Sequence, residues 1–492
     1  MRTRAPQRRP LVLASLTAAT LALAGCAAIP TIPEPPELHS GVAIQPIRIR
    51  GAHGPLSARE TRRILARFAA QAPDAGAFDR HLAIEQAVAS TPLYTGNRVR
   101  ILRDGPQTFA AMFSAIRHAR HYLYLEYFIL QDVSYGGERL SDLLIARSHQ
   151  GVRIDIIYDA IGSFSTPDEF FRRLSAAGIR VRKFHPIDPL TAFTLNDRDH
   201  RKILVADGST GIVGGVNFST TYQSFVPGSV TLRRPGGSAH AGGGSSASSG
   251  SGAHSPRAAK PVPLWHDTDA QIDGPAVVAL KHLFEQHWRE VGGPADALVA
   301  DAAPVAAQGD QVVRIIGSQG GGALRPRYYA TLLAAIRSAT SRVWITAAYF
   351  VPTRQERAAL ARAARRGVDV RLLLPARSDS QAALDVQRSY YAGLLRAGVK
   401  IYERDDGMLH SKTAVMDGVW SVVGSSNFDH RSVLFNDEVD AVIIGAKTGE
   451  QLERYFLQDL KHASRINPAI WRHRPFSDKL RGYFWRIWEQ LL

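Results

Sequence analysis

Cysteine is all but missing from this chain: among 492 residues Cys26 is the only thiol, so no disulfide closes within the chain and no cysteine cluster holds zinc. Long apolar runs are missing too. The most hydrophobic stretch, from Leu11 to Ala24, has fourteen residues, where a helix spanning a bilayer needs about 20. Nor is the composition extreme, since 45% apolar and 21% charged residues exclude both a membrane bundle and a disordered chain. Acid is the scarcer charge. Forty-four Asp and Glu against 60 Lys and Arg leave +16, which favours anionic partners: nucleic acid, anionic lipid or phosphate-bearing substrates. At about 100–200 residues per domain the length accommodates two to four domains.

Arg2, Arg4, Arg8 and Arg9 precede the short apolar run, the arrangement of an export signal. The run ends Leu23-Ala24-Gly25-Cys26, which resembles the lipobox of bacterial lipoproteins, where cleavage before the cysteine is coupled to its lipidation. Ala22-Leu23-Ala24 also fits ordinary signal cleavage, but the one thiol falls where lipidation needs it. Residues 1–25 are thus expected to be a signal peptide and Cys26 a lipid anchor. Removal of the leader takes four arginines and leaves +12. Residues 26–50, reading AIPTIPEPP at 28–36, are expected to be a Pro-rich tether. This implies the bacterial cell envelope, with the protein anchored to a membrane and facing the periplasm. Ala27 rather than Asp after the cysteine favours the outer membrane, by the same resemblance.

Beyond the leader the sequence repeats. HYLYLEYFIL at 121–130 is answered by SRVWITAAYF at 341–350, GVRIDIIYDA at 151–160 by GVDVRLLLPA at 367–376, and AGIRVRK at 177–183 by AGVKIYE at 397–403. A period near 220 residues is too long for a solenoid and suits a duplicated domain. In each copy strand-like runs alternate with Ala/Arg-rich helical stretches such as 358–366, the pattern of an α/β sandwich. The expected units are 51–291 and 313–470, joined by a linker at 292–312. Seven Gly and seven Ser between 236 and 256 mark a flexible insertion in the first unit.

Each copy ends in one constellation. His200-Arg201-Lys202 is followed by Asp207, Gly214-Gly215 and Asn217; His410-Ser411-Lys412 is followed by Asp417, Gly424-Ser425 and Asn427. A His-x-Lys-x4-Asp pattern arises about once per 8,000 positions at uniform residue frequencies, so two in-register copies are not chance. Residues i and i+2 of a strand share a face, which lets His and Lys project together. Lysine offers a point charge to phosphate oxygens, Asn and backbone amides add donors, and imidazole serves as nucleophile or acid. Two such histidines supply an attacking base and a leaving-group acid, which places the expected site on the seam between the halves. A zinc reading fails because Lys replaces the second ligand. Asp207 and Asp417 each precede Gly between apolar runs, a hairpin signal that favours a structural role within the motif. Asp267 and Glu438, aligned downstream, are the candidate carboxylates that orient the imidazoles.

The duplicated motif resembles that of the phospholipase D superfamily, and within it the bacterial cardiolipin synthases. LEYFI at 125–129, DAIGSFSTP at 159–167, DHRK at 199–202, WHDTDAQIDGPA at 265–276, YFVP at 349–352, LLLPARSD at 372–379, GMLHSK at 407–412 and NDE at 436–438 carry the likeness. The resemblance implies two tandem α/β sandwich domains in a pseudo-twofold pair, with the active site at the seam and no metal or cofactor. It implies a phosphohistidine on His200 and acid/base work by His410, with phosphatidylglycerol as substrate. A second phospholipid as acceptor gives cardiolipin and glycerol; water gives phosphatidic acid, the phospholipase D alternative. A nuclease on the same fold is the reading from a different class, and the envelope address counts against it. The first copy departs from the wider signature in reading Gly214-Gly215 where Gly-Ser is common.

At the C-terminus Leu480, Tyr483, Phe484, Ile487, Trp488 and Leu491 fall on one helical face, with Lys479, Arg481 and Arg486 beside them. The spacing predicts an amphipathic helix over 471–492. Packing on the body is the plainer reading, and contact with a membrane surface the alternative.

Overall fold

The computed structural model describes residues 29–32, 47–72, 76, 79–82, 91–186, 196–223, 265–295, 304–320 and 327–491. The signal peptide, Cys26 and the Gly/Ser insertion lie outside the described residues.

Among the described residues seven strands build the main sheet of the first unit: β1 (Leu93–Arg103), β2 (Tyr122–Tyr127), β3 (Arg153–Asp159), β4 (Arg180–Phe184), β5 (Lys202–Ala206), β6 (Thr210–Gly214) and β7 (Thr268–Asp273). Seven counterparts build the second: β8 (Gln311–Ser318), β9 (Arg342–Thr346), β10 (Asp369–Pro375), β11 (Lys400–Arg404), β12 (Thr413–Met416), β13 (Trp420–Gly424) and β14 (Glu438–Ile444). In the first unit β2, β3 and β4 run parallel, and β5, β6, β7 and β1 extend the sheet from β2 as an antiparallel ladder. The second unit repeats every one of these pairings. The duplication legible in the sequence is thus a duplication of topology. β1 and β8 pair antiparallel at Asn97 and Gln311, fusing the two halves into one sheet system of 17 strands.

Sequence dictates the local structure. All six residues of β2 and all five of β5 are buried, as near-continuous apolar runs require when both faces of a strand are covered. The Asp207-Gly208 and Asp417-Gly418 hairpins turn through left-handed backbone, with φ of 52° at both aspartates, a conformation that Asp and Gly tolerate. On one face α1 (Asp104–His118), α2 (Leu140–His149) and α3 (Asp168–Ala176) cover the first sheet, and α5 (Arg327–Ser338), α6 (Arg354–Arg365) and α7 (Gln381–Arg396) cover the second. A third core lies between the halves. It takes Val205, Ile272 and Val213 from one, Val415, Val423 and Val439 from the other, and Phe284 and Trp288 from α4 (Val277–Glu290). Each such side chain contributes about 2 kcal/mol on burial, so the seam is a hydrophobic interior and not a loose domain contact.

Two segments differ from expectation. Residues 29–32, inside the expected tether, lie against the second unit: Gln355 Nε2 donates to Pro30 O (3.0 Å), Ile32 N donates to Gln355 Oε1 (3.2 Å), and Ile29 and Ile32 are half-buried against its core. Two isoleucines between the prolines give this stretch an apolar side to bury. Strand pairing also reaches into that segment, where Ile49–Gly51 runs parallel to β1. The C-terminal segment is not one helix. Pro468–Arg472 and α8 (Phe476–Trp485) are separated by Pro475, and after Trp485 the chain tightens to a 3-10 turn over Arg486–Leu491, where Arg486 stacks on Tyr390 and Glu489 accepts from its hydroxyl.

Candidate active site

Each His-x-Lys motif enters the site where its strand begins, and the chain on either side is tied across the seam. His200 N donates to Asp437 O (2.9 Å) and Asp437 N to Arg198 O (2.8 Å), while His410 N donates to His266 O (2.7 Å) beside a short parallel pairing of Trp265–His266 with Met408–Leu409. Each motif therefore lies against the other half's acidic segment.

The carboxylates cross in the same way. His200 Nδ1 lies 3.0 Å from Glu438 Oε2 and 3.2 Å from Oε1, so the histidine of the first half is held by the acid of the second. His410 Nδ1 lies 2.7 Å from Asp267 Oδ2, the reverse. A carboxylate on Nδ1 fixes the proton there and leaves Nε2 as the reactive nitrogen. Lys202 and Lys412 each donate to the carbonyl of their own motif's histidine at 2.6 Å, and Lys412 Nζ lies 3.0 Å from His410 Nε2.

The two acids are supported differently. Ser425 Oγ donates to Glu438 Oε2 (2.5 Å), and Ser432 Oγ (2.7 Å) and Asn436 Nδ2 (3.2 Å) donate to Oε1. Gly215 stands where Ser425 stands in the other copy. A Cβ built on Gly215 would meet Asp267 Oδ1 at 2.2 Å and Oδ2 at 2.5 Å, so the shorter Asp side chain takes the space that serine fills opposite the longer Glu. The Gly-Gly departure and the Asp-for-Glu exchange are one compensated change. One position earlier the halves agree: a Cβ on Gly214 or Gly424 would meet Asp269 or Asp440 Oδ1 at 2.0 Å.

Of the ten candidates eight converge here. Asn217 accepts from Ile129 N (3.0 Å) and donates to Tyr222 Oη (3.2 Å), and that hydroxyl stands 3.3 Å from His410 Nδ1. Asn427 is buried, its Oδ1 without a partner, and its N–H donates to Ser432 Oγ (3.0 Å), the hydroxyl that donates to Glu438. Asp207 and Asp417 sit apart, at the far ends of β5 and β12. Asp207 accepts from the backbone N–H groups of Arg120 (2.7 Å), His121 (2.8 Å) and Tyr122 (3.0 Å). Asp417 does the same for Thr340, Ser341 and Arg342 and adds His81 Nε2 at 3.1 Å. They pin the start of β2 and β9 to the hairpin and take no part in the site, the structural role their Asp-Gly turns signal.

Sequence reasoning passed over Tyr222 and Arg201. Tyr222 lies in a 3-10 turn with no period to announce it. Arg201, the middle residue of the motif, points away from the site and is buried behind it, donating to Glu126 Oε1 (3.1 Å) and Ser318 O (3.1 Å) and lying 3.8 Å from Asp437. His287 joins this cluster through Glu126 Oε1 at 2.9 Å. Aromatic rings wall the site: Phe128 stands 5.3 Å from the His200 ring, and Trp265 (5.1 Å), Tyr222 (5.9 Å) and Tyr349 (6.4 Å) surround His410.

Burial sets the electrostatics. Desolvation, with the lysine charges adding, pushes His410 down to about 4 and His200 well below its usual value. Desolvation also lowers Lys202 to about 7 and Lys412 to about 8, and raises Glu438 to about 7. The resting imidazoles are neutral, and burial with mutual repulsion disfavours the lysine charges, which an anion between them would offset.

Comparison with known proteins gives the family. The family model described as cardiolipin synthase, PLD-like domain, matches residues 112–225 and 332–460. A cardiolipin synthase of Geobacillus kaustophilus is 32% identical over 417 residues, covering 84% of this chain and 76% of that protein. The chain belongs to the cardiolipin synthase family. Cardiolipin synthase A of Pseudomonas fluorescens is 33% identical over 380 residues, 76% of this chain and 71% of that one. Among solved structures, the phosphatidylserine synthase of Haemophilus influenzae shares the fold, with a TM-score of 0.59 at 12% identity over 83% of this chain and 99% of that one. As a member of the cardiolipin synthase family this protein is an enzyme of the phospholipase D superfamily. Asp267 lies outside both matched segments, and the crossed pairing with His410 alone brings it into the site.

Proposed function

We propose that this cardiolipin synthase family enzyme transfers a phosphatidyl group from phosphatidylglycerol to the headgroup hydroxyl of a second phosphatidylglycerol through a phosphohistidine. The crossed pairing of His200 with Glu438 and His410 with Asp267 carries this reading, because it sets two neutral imidazoles and two lysines around one seam. A phosphodiester entering there brings negative charge that offsets the lysines' fields and favours protonation of His410, which takes its proton from solvent before the attack. His200 Nε2 attacks phosphorus, the bond to the glycerol headgroup breaks, and His410 protonates the departing alkoxide. His410 then takes the proton of the incoming hydroxyl, whose oxygen displaces His200 from phosphorus. Two phosphatidylglycerols become one cardiolipin and one glycerol.

The lipobox-like leader supports a lipid anchor on Cys26 and a place in the cell envelope facing the periplasm, at the outer membrane given Ala27. Incorporation of labelled palmitate in a lipoprotein-processing host tests the anchor, and its failure in the wild-type chain refutes it. The function is tested by incubating the enzyme with phosphatidylglycerol vesicles and reading lipids by mass spectrometry. A four-chain product with equimolar glycerol is expected, falling more than about 10³-fold in both His200→Ala and His410→Ala. Phosphatidic acid as the only product assigns a phospholipase D instead, and cleavage of DNA with untouched lipid assigns a nuclease.

A further inference from the structure

Ten large hydrophobic side chains are exposed among the described residues, and they are not scattered. Seven belong to the last 25 residues, from Ile470 (72% exposed) and Phe476 (76%) to Ile487 (72%) and Trp488 (43%). Two more, Ile161 (38%) and Phe164 (77%), stand on the loop after β3. Monomeric surfaces rarely concentrate apolar side chains in this way without a partner.

Both groups border the site. The loop carrying Ile161 and Phe164 is seated on Phe128, since Ser163 Oγ donates to Phe128 O (3.1 Å) and a Cβ on Gly162 would meet that oxygen at 2.2 Å. Phe128 in turn edges His200. On the other flank Trp485 and Tyr349 both pack against the cluster of Val351, Ala383, Val386 and Tyr390, and Tyr349 edges His410. The terminal segment is therefore half docked: Trp485 faces inward, and Leu480, Tyr483, Phe484 and Ile487 face out. Its charge is cationic, with Arg472, Arg474, Lys479, Arg481 and Arg486 against Asp478 and Glu489. The guanidinium of Arg486 lies 4.7 Å from the Tyr390 ring and that of Arg357 lies 4.1 Å from it. Two residues before Arg357, Gln355 holds residues 30–32. Cys26 precedes Ile29 by three residues, a reach of about 10 Å at most.

We infer that the end of the molecule bearing the active-site mouth seats on an anionic lipid surface, through Ile161 and Phe164 on one side and the outward face of the C-terminal segment on the other. Apolar side chains rimmed by Lys and Arg fit the boundary between acyl chains and anionic headgroups. This placement rests on the reading of the substrate as phospholipid and adds how that substrate arrives: headgroups enter between the two aromatic walls while the acyl chains stay in the bilayer.

The test uses the full chain with vesicles of equal phosphatidylglycerol and phosphatidylcholine whose acyl chains carry bromine, which quenches tryptophan within the bilayer. Quenching is expected, at least fivefold weaker in Leu480→Asp/Ile487→Asp and weaker in Trp488→Phe. Phe164→Asp, on the opposite flank, is expected to weaken vesicle binding independently. Turnover of a short-chain phosphatidylglycerol below its micelle concentration is expected to be unchanged in Leu480→Asp/Ile487→Asp, which also reports that the variant is folded. Quenching equal in wild type and variants overturns the inference. So does loss of a dimer in light scattering with vesicle binding intact, since a second copy would then cover the face. Quenching as expected without turnover of either lipid leaves the seating standing and strikes the catalytic reading.

Discussion

At Gly215 one missing side chain decides how half of the active site is built. Asp267 reaches His410 only by filling the volume a Cβ would occupy. Gly215→Ser, which restores the commoner motif residue, is expected to push the carboxylate aside, cutting kcat by about 10²-fold or more and costing about 1–3 kcal/mol in stability from overpacking. Activity and denaturant midpoint of this variant, beside Ser425→Gly in the other half, check the asymmetry. Equal tolerance of both changes would contradict it. The lysines give a prediction with a pH axis. Burial lowers Lys202 to about 7, whereas the unfolded chain keeps it near 10.4. Between those values the unfolded state binds the extra proton, so this residue's contribution to stability rises with pH across that window and is at its most unfavourable below about 7. Lys202→Met is expected to abolish turnover while stabilising the fold at neutral pH by on the order of a few kcal/mol. It is also expected to flatten the rise in stability from pH 7 to 10 in chemical denaturation. A destabilised Lys202→Met would contradict the cost assigned to that buried charge.

The elements that matter are the short segments that cross the seam. Residues 198–202 and 436–438 exchange backbone hydrogen bonds and share the Arg201 cluster, where one guanidinium faces Glu126 and Asp437 in a buried setting. Removing such a cation strands the acids, so Arg201→Met is expected to lower stability by about 3–5 kcal/mol. The urea midpoint should drop at unchanged slope, whereas a change within 1 kcal/mol would mean the cluster is balanced without Arg201. How much of this was legible varies with the physics. β2, β3 and β5 announce themselves as buried apolar runs, and the Asp-Gly turns carry their own backbone signature. The crossing of the acids does not, because Asp267 and Glu438 align with each other by position while their partners are chosen by how two separate sheets meet. The terminal stripe was legible as a helical face, but which side of the segment meets the body was not: Trp485, off the stripe, takes the inward contacts and leaves Leu480, Tyr483, Phe484, Ile487 and Trp488 exposed.

At the scale of the molecule the duplicated unit brings both histidines and both lysines to a single site. Each half carries a complete motif yet holds its imidazole with the other half's carboxylate, so the two motifs form one site and not two. The sequence period near 220 residues already implied two copies and a seam. The motif chemistry placed one site on that seam; what it left open was which carboxylate holds which histidine, a matter of packing between sheets that no periodicity encodes. The most direct test is the stoichiometry of the covalent intermediate: rapid acid-free quenching of the enzyme during turnover of phosphatidylglycerol, followed by intact-mass and peptide mass spectrometry. At most one phosphatidyl group per chain is expected, carried on His200, and none in Glu438→Gln at the same time point. Two groups per chain, one on each histidine, would contradict a single composite site.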